Sequence, residues 1–314
     1  MKNGFLFIIA LLAGLVAGCS KSETSKIKLA LNWKPEPEFG GFYAAQIGGQ
    51  FKSHGLDVDI TGGGDQVAQM LAAGQIDFGI LAADEVVTAR SKGIDLVALF
   101  AVYQTNPQGI MTHAARGLSS IADVYAHDGT LAVQPGLAYV DFLKQKYTDA
   151  KVKIIPYDYS IVQFMADPKH SQQCFVTSEP IAAKSKGGDP KVFLIAESGF
   201  NPYAAVVCAK GDYIRNNPNR VKQFIAAVGE GWRAYLDDPK AADDAMGKLN
   251  QEMDAETFAA AAQAQKDLIE NDDTRQNGLG SMSTARWETI GKQLADLKIV
   301  EKPPAAGECF MPLK

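Results

Sequence analysis

The chain has 314 residues, 46% of them hydrophobic and 21% charged, with 29 glycines. That length suits two domains or one large one at roughly 150 residues each, and the composition excludes a collagen-like, coiled-coil, mostly disordered or multi-spanning membrane chain. The net charge is −5, and no Lys/Arg-rich run with interleaved aromatics occurs, so nucleic acid is not an expected partner.

The first residues read as an export signal. Lys2 supplies a positive n-region, and Phe5 to Val16 is an apolar stretch broken only by Gly14. It is shorter than the ~20 residues that a membrane span needs, but it suits a signal peptide over residues 1–18. Val16-Ala17-Gly18-Cys19 resembles the bacterial lipobox, in which small residues precede a cysteine that receives a diacylglycerol. Cys19 is therefore the expected lipidation site, residues 19–25 a polar tether, and the cell envelope, at a periplasmic or extracytoplasmic face, the expected location. The alternative is an ordinary signal peptide with an incidental cysteine. Three further cysteines, Cys174, Cys208 and Cys309, leave an odd number. They are either three buried thiols or one disulfide with a free thiol. If a pair forms, Cys208–Cys309 is expected. Neither the cysteines nor the four histidines (His54, His113, His127, His170) show metal-ligand spacing, and no metal or cofactor is expected.

From Lys26 short apolar runs alternate with helical periodicity. Strands are expected at Ile27–Leu31, Leu56–Ile60, Asp77–Leu81 and Leu96–Val102. Helices lie between them: Phe39–Lys52, a second capped by Asp65, and a third capped by Asp84 and ending at Gly93. This β-α-β-α-β run predicts a mostly parallel sheet covered on both faces. A second run follows, with strands at Gly109–Thr112, Thr130–Val133, Val152–Ile155, Cys174–Thr177 and Val192–Ala196. Its main helices are Tyr139–Tyr147 and Ser160–Ala166. After a strand at Ala204–Ala209 the chain turns helical: Pro218 to about Leu236, Lys240–Leu249, Ala255–Glu270 and Thr284–Leu297, with an irregular tail from Pro303. The reading is two α/β domains joined at Tyr103–Pro107 and Ser198–Tyr203. Domain one comprises residues 26–103 with 204–314, and domain two residues 104–203. Two crossings side by side make a hinge, and the cleft between strand ends is the natural ligand site.

Asn32-Trp33-Lys34-Pro35, Gly41-Phe42-Tyr43-Ala44-Ala45, Gly55-Leu56-Asp57-Val58 and Leu71-Ala72-Ala73-Gly74-Gln75-Ile76-Asp77-Phe78-Gly79-Ile80 resemble the substrate-binding lipoproteins of ABC importers. The group in question includes thiamine-pyrimidine, riboflavin and alkanesulfonate binders. The resemblance covers roughly residues 26 to 300. It implies a periplasmic binding protein-like fold, a small-molecule ligand handed to a membrane permease, and a monomer. The Ala-Gly-x-x-Asp-Phe-Gly segment supports the fold, whereas the Trp-x-Pro opening points to the pyrimidine side. Pyrimidine binders of this group usually show Asp-Trp, then Pro-Asn, then a His two residues before Gly-Leu-Tyr. Asn32, Glu36 and Phe39 stand at those places.

The expected ligand contacts follow from the strand tips. Asn32 and Trp33 end the first strand, and an indole there can stack on a flat ring for ~1–3 kcal/mol. Its alternative is packing at the rim. Glu38, Phe39 and Tyr43 surround the start of the first helix. Gly63 and Gly64 can present backbone N–H groups or simply form a turn. Asp84 and Glu179 offer acceptors, although Asp84 equally reads as a helix cap. Gln104, Asn106, Gln134, Tyr157, Asn201 and Tyr203 lie at crossings or strand tips. Aromatic faces and carboxylates favour a neutral or cationic heterocycle, thiamine-pyrimidine-like first and riboflavin-like second, over a sulfonate. No nucleophile elbow, phosphate loop or His-Glu-x-x-His appears. A pyrimidine-synthase type of enzyme shares this fold and is the main alternative, with a scaffolding lipoprotein as a third class.

Overall fold

The computed structural model describes residues 26–62 and 64–313. The expected signal, Cys19 and Gly63 lie outside the described residues. Among the described residues the apolar runs form β1 (Ile27–Ala30), β2 (Val58–Thr61), β3 (Phe78–Leu81), β4 (Leu96–Tyr103), β5 (Gln108–His113), β6 (Thr130–Val133), β7 (Lys153–Pro156), β8 (His170–Phe175), β9 (Pro190–Leu194) and β10 (Ala204–Lys210). They make two five-stranded sheets, in the orders β2-β1-β3-β10-β4 and β7-β6-β8-β5-β9.

Both sheets are mixed: four strands of each run the same way, in line with the expected mostly parallel sheet, and one runs against them. β1, β2 and β3 are parallel, but β10 runs antiparallel to β3 and β4. β6 is parallel to β7 and β8, while β5 runs antiparallel to β8 and β9. The reason is the pair of crossings. The chain leaves each sheet from the carboxyl end of a strand, β4 or β9, and enters the other sheet at the same edge. The entering strand, β5 or β10, therefore starts where its parallel neighbours end. The two units thus present strand tips to one shared cleft.

Several helices start or stop away from their expected places. Phe39–Lys52 is a short 3-10 turn, a helix Gly40–Ile47 and a turn Gln50–Ser53. Gly49 breaks it by adopting φ +81°, a left-handed conformation open to glycine. Asp65 is not a cap, because the next helix, Val67–Ala72, begins after Gln66. Asp84 is not a cap either: the helix Ala83–Ser91 starts one residue before it. Glu85 instead reaches back to accept the Ala82 N–H at 2.7 Å. The strand expected at Cys174–Thr177 begins four residues earlier and ends at Phe175, so Glu179 opens the helix Glu179–Ser185.

The C-terminal helices Pro218–Asp237, Lys240–Leu249, Ala255–Ala264 and Thr284–Asp296 wrap the first sheet. After Pro303 a short helix, Ala306–Cys309, leads to Phe310, which bridges to Ala98 on edge strand β4 and stacks on Trp287. That tail covers an edge otherwise open to pairing. Cys174, Cys208 and Cys309 are free and buried, so the Cys208–Cys309 pair does not form.

Candidate functional site

A cavity of about 140 Å³ lies between the strand tips of the two sheets. Asn32 follows β1, Glu38 precedes the first helix, and Ala82 and Asp84 follow β3. From the other unit come Tyr139, at the start of the helix Ala138–Lys146, Phe175 at the end of β8, and Phe200 in the second crossing. Asn106 and Ala205, one at each crossing, complete the wall. Ala205 has φ +48°, a strained conformation for a residue with a Cβ.

Of the expected contacts, Asn32, Glu38, Asp84 and Asn106 line this cavity. Trp33 stands at its mouth, 40% exposed, and stacks on Tyr159 of the other unit with ring centroids 6.3 Å apart and planes at 22°. Tyr159 in turn leans on Tyr157 at 5.3 Å. Glu179 backs the wall: its Oε2 accepts the Phe175 N–H at 2.7 Å and its Oε1 accepts the Tyr157 hydroxyl at 2.9 Å. Gln134 is held through its N–H by Gln173 Oε1, which also accepts from the Tyr139 hydroxyl.

Other expected contacts lie away from the cavity. Phe39 and Tyr43 are buried in the core cluster formed by the first sheet and its helices. Gly64 borders open space. Gln104, Asn201 and Tyr203 are engaged at the hinge. Arg286, from the helix Thr284–Asp296, donates to the Gln104 carbonyl, to the Asn201 carbonyl at 2.7 Å and to Asn201 Oδ1 at 3.0 Å. Its guanidinium lies 3.8 Å over the Tyr203 ring. One side chain thus clasps both crossings. A second depression, of about 290 Å³, borders Arg286, Asn201 and this helix.

Tyr139, Phe175, Phe200 and Ala205 were not legible as wall residues. Phe175 read as mid-strand because the strand was placed too late. Phe200 lay in a recognised crossing, so its position was the available signal. Nothing in the sequence marks Ala205.

The site is acidic. Burial, then the charge of Glu179, pushes Glu36 up to about 7. Burial, then Glu36 and Glu179, holds Glu38 well above the usual carboxylate range. Burial raises Asp84, whose carboxylate is held by its own and Glu85's N–H groups, and raises Glu179. Burial, then Asp84, pushes Glu85 up to about 7. A cavity with these walls favours a ligand that donates hydrogen bonds or carries positive charge. Among the described residues no cluster of His, Cys, Asp and Glu is arranged to hold a metal ion.

Two mixed α/β units around one cleft, with a helical C-terminal segment, form the periplasmic binding protein fold. The chain superposes on the periplasmic aliphatic sulphonate binding protein SsuA of Escherichia coli with a TM-score of 0.67 and 14% identity, over 92% of this chain and 93% of that one. The chain belongs to the NMT1/THI5-like family, whose model matches residues 36–242. Its relatives include the formylaminopyrimidine-binding protein of Halalkalibacterium halodurans, 24% identical over 99% of this chain and 98% of that protein. The riboflavin-binding protein RibY of Chloroflexus aurantiacus is 22% identical over 91% and 84%. Enzymes occur among them too: a 4-amino-5-hydroxymethyl-2-methylpyrimidine phosphate synthase of Saccharomyces cerevisiae is 23% identical over 69% of this chain and 68% of that one.

Proposed function

We propose that this chain is the extracytoplasmic solute-binding component of an ABC importer, with a small planar heterocycle, aminopyrimidine-like, as its ligand. The single observation that carries the reading is the cavity of about 140 Å³, walled by both units with Asn32, Glu38, Asp84 and three aromatic rings. An apolar cavity of ~150 Å³ admits benzene, whereas drug-sized ligands occupy ~300–1,000 Å³. One six-membered ring with small substituents therefore fits better than a three-ring flavin. The carboxyl groups accept ring N–H and amino hydrogens and repel a sulfonate. The formylaminopyrimidine-binding and riboflavin-binding relatives support a heterocyclic ligand.

Binding is favoured over catalysis by where the reactive groups sit. Cys174 packs with Met111, Phe164 and Ala183 behind the second sheet, its thiol pushed well up by burial. Cys208 and Cys309 lie in the core. The residues that line the cavity bring amide, carboxyl and aromatic groups. Incubation with aminopyrimidines followed by mass spectrometry separates the classes: a binder returns the ligand unchanged, an enzyme converts it, and a scaffold shows no saturable ligand.

The domains are residues 26–103 with 204–314, and 104–203, closing about the paired crossings and delivering the closed form to a permease. The lipobox-like junction supports anchoring through Cys19. Cys19→Ser then releases the protein to the soluble fraction or leaves it unprocessed; a processed, membrane-bound variant contradicts the anchor.

A further inference from the structure

Among the described residues that line the cavity, Glu38 is an acidic side chain without a hydrogen-bonding partner. It is 9% exposed, lines the cavity, and is influenced only by burial and by the charges of Glu36 and Glu179. The neighbouring carboxyl groups are occupied. Asp84 is held by two backbone N–H groups, and Glu179 by the Phe175 N–H and the Tyr157 hydroxyl. Glu36 takes a hydrogen bond from Trp33. The nearby cation Lys34 is committed elsewhere, to Glu252 at 2.5 Å. The remaining titratable neighbour, Tyr103, donates its hydroxyl to Gln265 at 2.6 Å. A buried carboxyl group with no partner is costly, and a positive group beside it removes that cost.

We infer that the cavity holds its ligand as a monocation, with the positive group against Glu38 and the ring among Tyr139, Phe175 and Phe200. This rests on the reading of the cleft as a site for a single-ring heterocycle and adds its charge. Two features of the site support it independently. Three aromatic side chains line the cavity, where a cation can meet them, and Glu36 and Glu179, one from each unit, set further carboxyl groups near Glu38.

Two near-isosteric probes test this. They are 4-amino-5-hydroxymethyl-2-methylpyrimidine and its 5-aminomethyl twin, which carries an ammonium group at pH 7.5. Isothermal calorimetry on the wild-type protein at that pH is expected to show the aminomethyl compound binding at least tenfold more tightly. Glu38→Gln is expected to erase that preference, with circular dichroism confirming the fold. Equal affinities for the twins overturn the cation inference and leave the heterocycle reading standing. A preference that survives in folded Glu38→Gln overturns the assignment to Glu38. No saturable binding of either twin overturns the inference together with the reading beneath it. The wild-type comparison decides the charge question even if the variant does not fold.

Discussion

Trp33 and Glu38 lie five residues apart and act at different depths. Glu38 lines the cavity, while Trp33 stacks on Tyr159 of the other unit and is proposed to close over the ligand. The sequence put Trp33 just past the first strand and Glu38 at the start of the first helix, and the structure has β1 ending at Ala30 and Glu38 in the turn Pro37–Phe39. What the pattern does not carry is the direction of each side chain. Phe39 and Tyr43 read as cleft aromatics yet are core residues, buried in the cluster of the first sheet and its helices. Trp33→Ala is expected to weaken ligand binding at least tenfold, about 1.4 kcal/mol, through loss of the closing stack. The fold should persist, since the side chain is 40% exposed. Titration of the variant by calorimetry checks this; unchanged affinity contradicts the role given to the ring.

Contacts between elements depend on small residues that the sequence does not single out. Helix Gly40–Ile47 crosses helix Pro218–Asp237 so closely that a Cβ on Gly231 would stand 2.3 Å from the Gly41 carbonyl oxygen and 2.5 Å from the Ala45 Cβ. Gly229, two residues earlier on the same helix, would place its Cβ 3.8 Å from Phe100. Both are helix-interior glycines, where alanine ordinarily gains ~1 kcal/mol. At Gly231 overpacking of ~1–3 kcal/mol opposes that gain. Thermal unfolding should therefore show Gly231→Ala melting a few degrees below wild type and Gly229→Ala at or above it. The reverse order contradicts this account of the helix contact. Helix existence was legible from periodicity: Lys240–Leu249 agrees at both ends. The break at Gly49 and the start at Ala83 depend on backbone geometry and on the Glu85 side chain, which periodicity does not report.

At the scale of the whole molecule, the alternation of strands and helices was enough to read two α/β units, a double crossing and a cleft. Strand direction was not: β5 and β10 reverse because they enter at the cleft, a consequence of connectivity rather than of local sequence. Arg286 joins both crossings through Gln104 and Asn201, and hinge bending is proposed to pivot about this clasp. Domain closure on a ligand is proposed to compact the molecule without changing its secondary structure. Small-angle scattering with a saturating ligand should give a smaller radius of gyration at constant circular dichroism, and identical scattering curves would count against it.

The central claim is that this chain binds a single-ring heterocycle and releases it unaltered. Native mass spectrometry of the purified protein with 4-amino-2-methylpyrimidines, followed by denaturing recovery of the ligand, tests it most directly. The account predicts a saturable one-to-one complex whose ligand returns with its original mass. A ligand returned with changed mass, or saturable binding confined to multi-ring or anionic compounds, would contradict it.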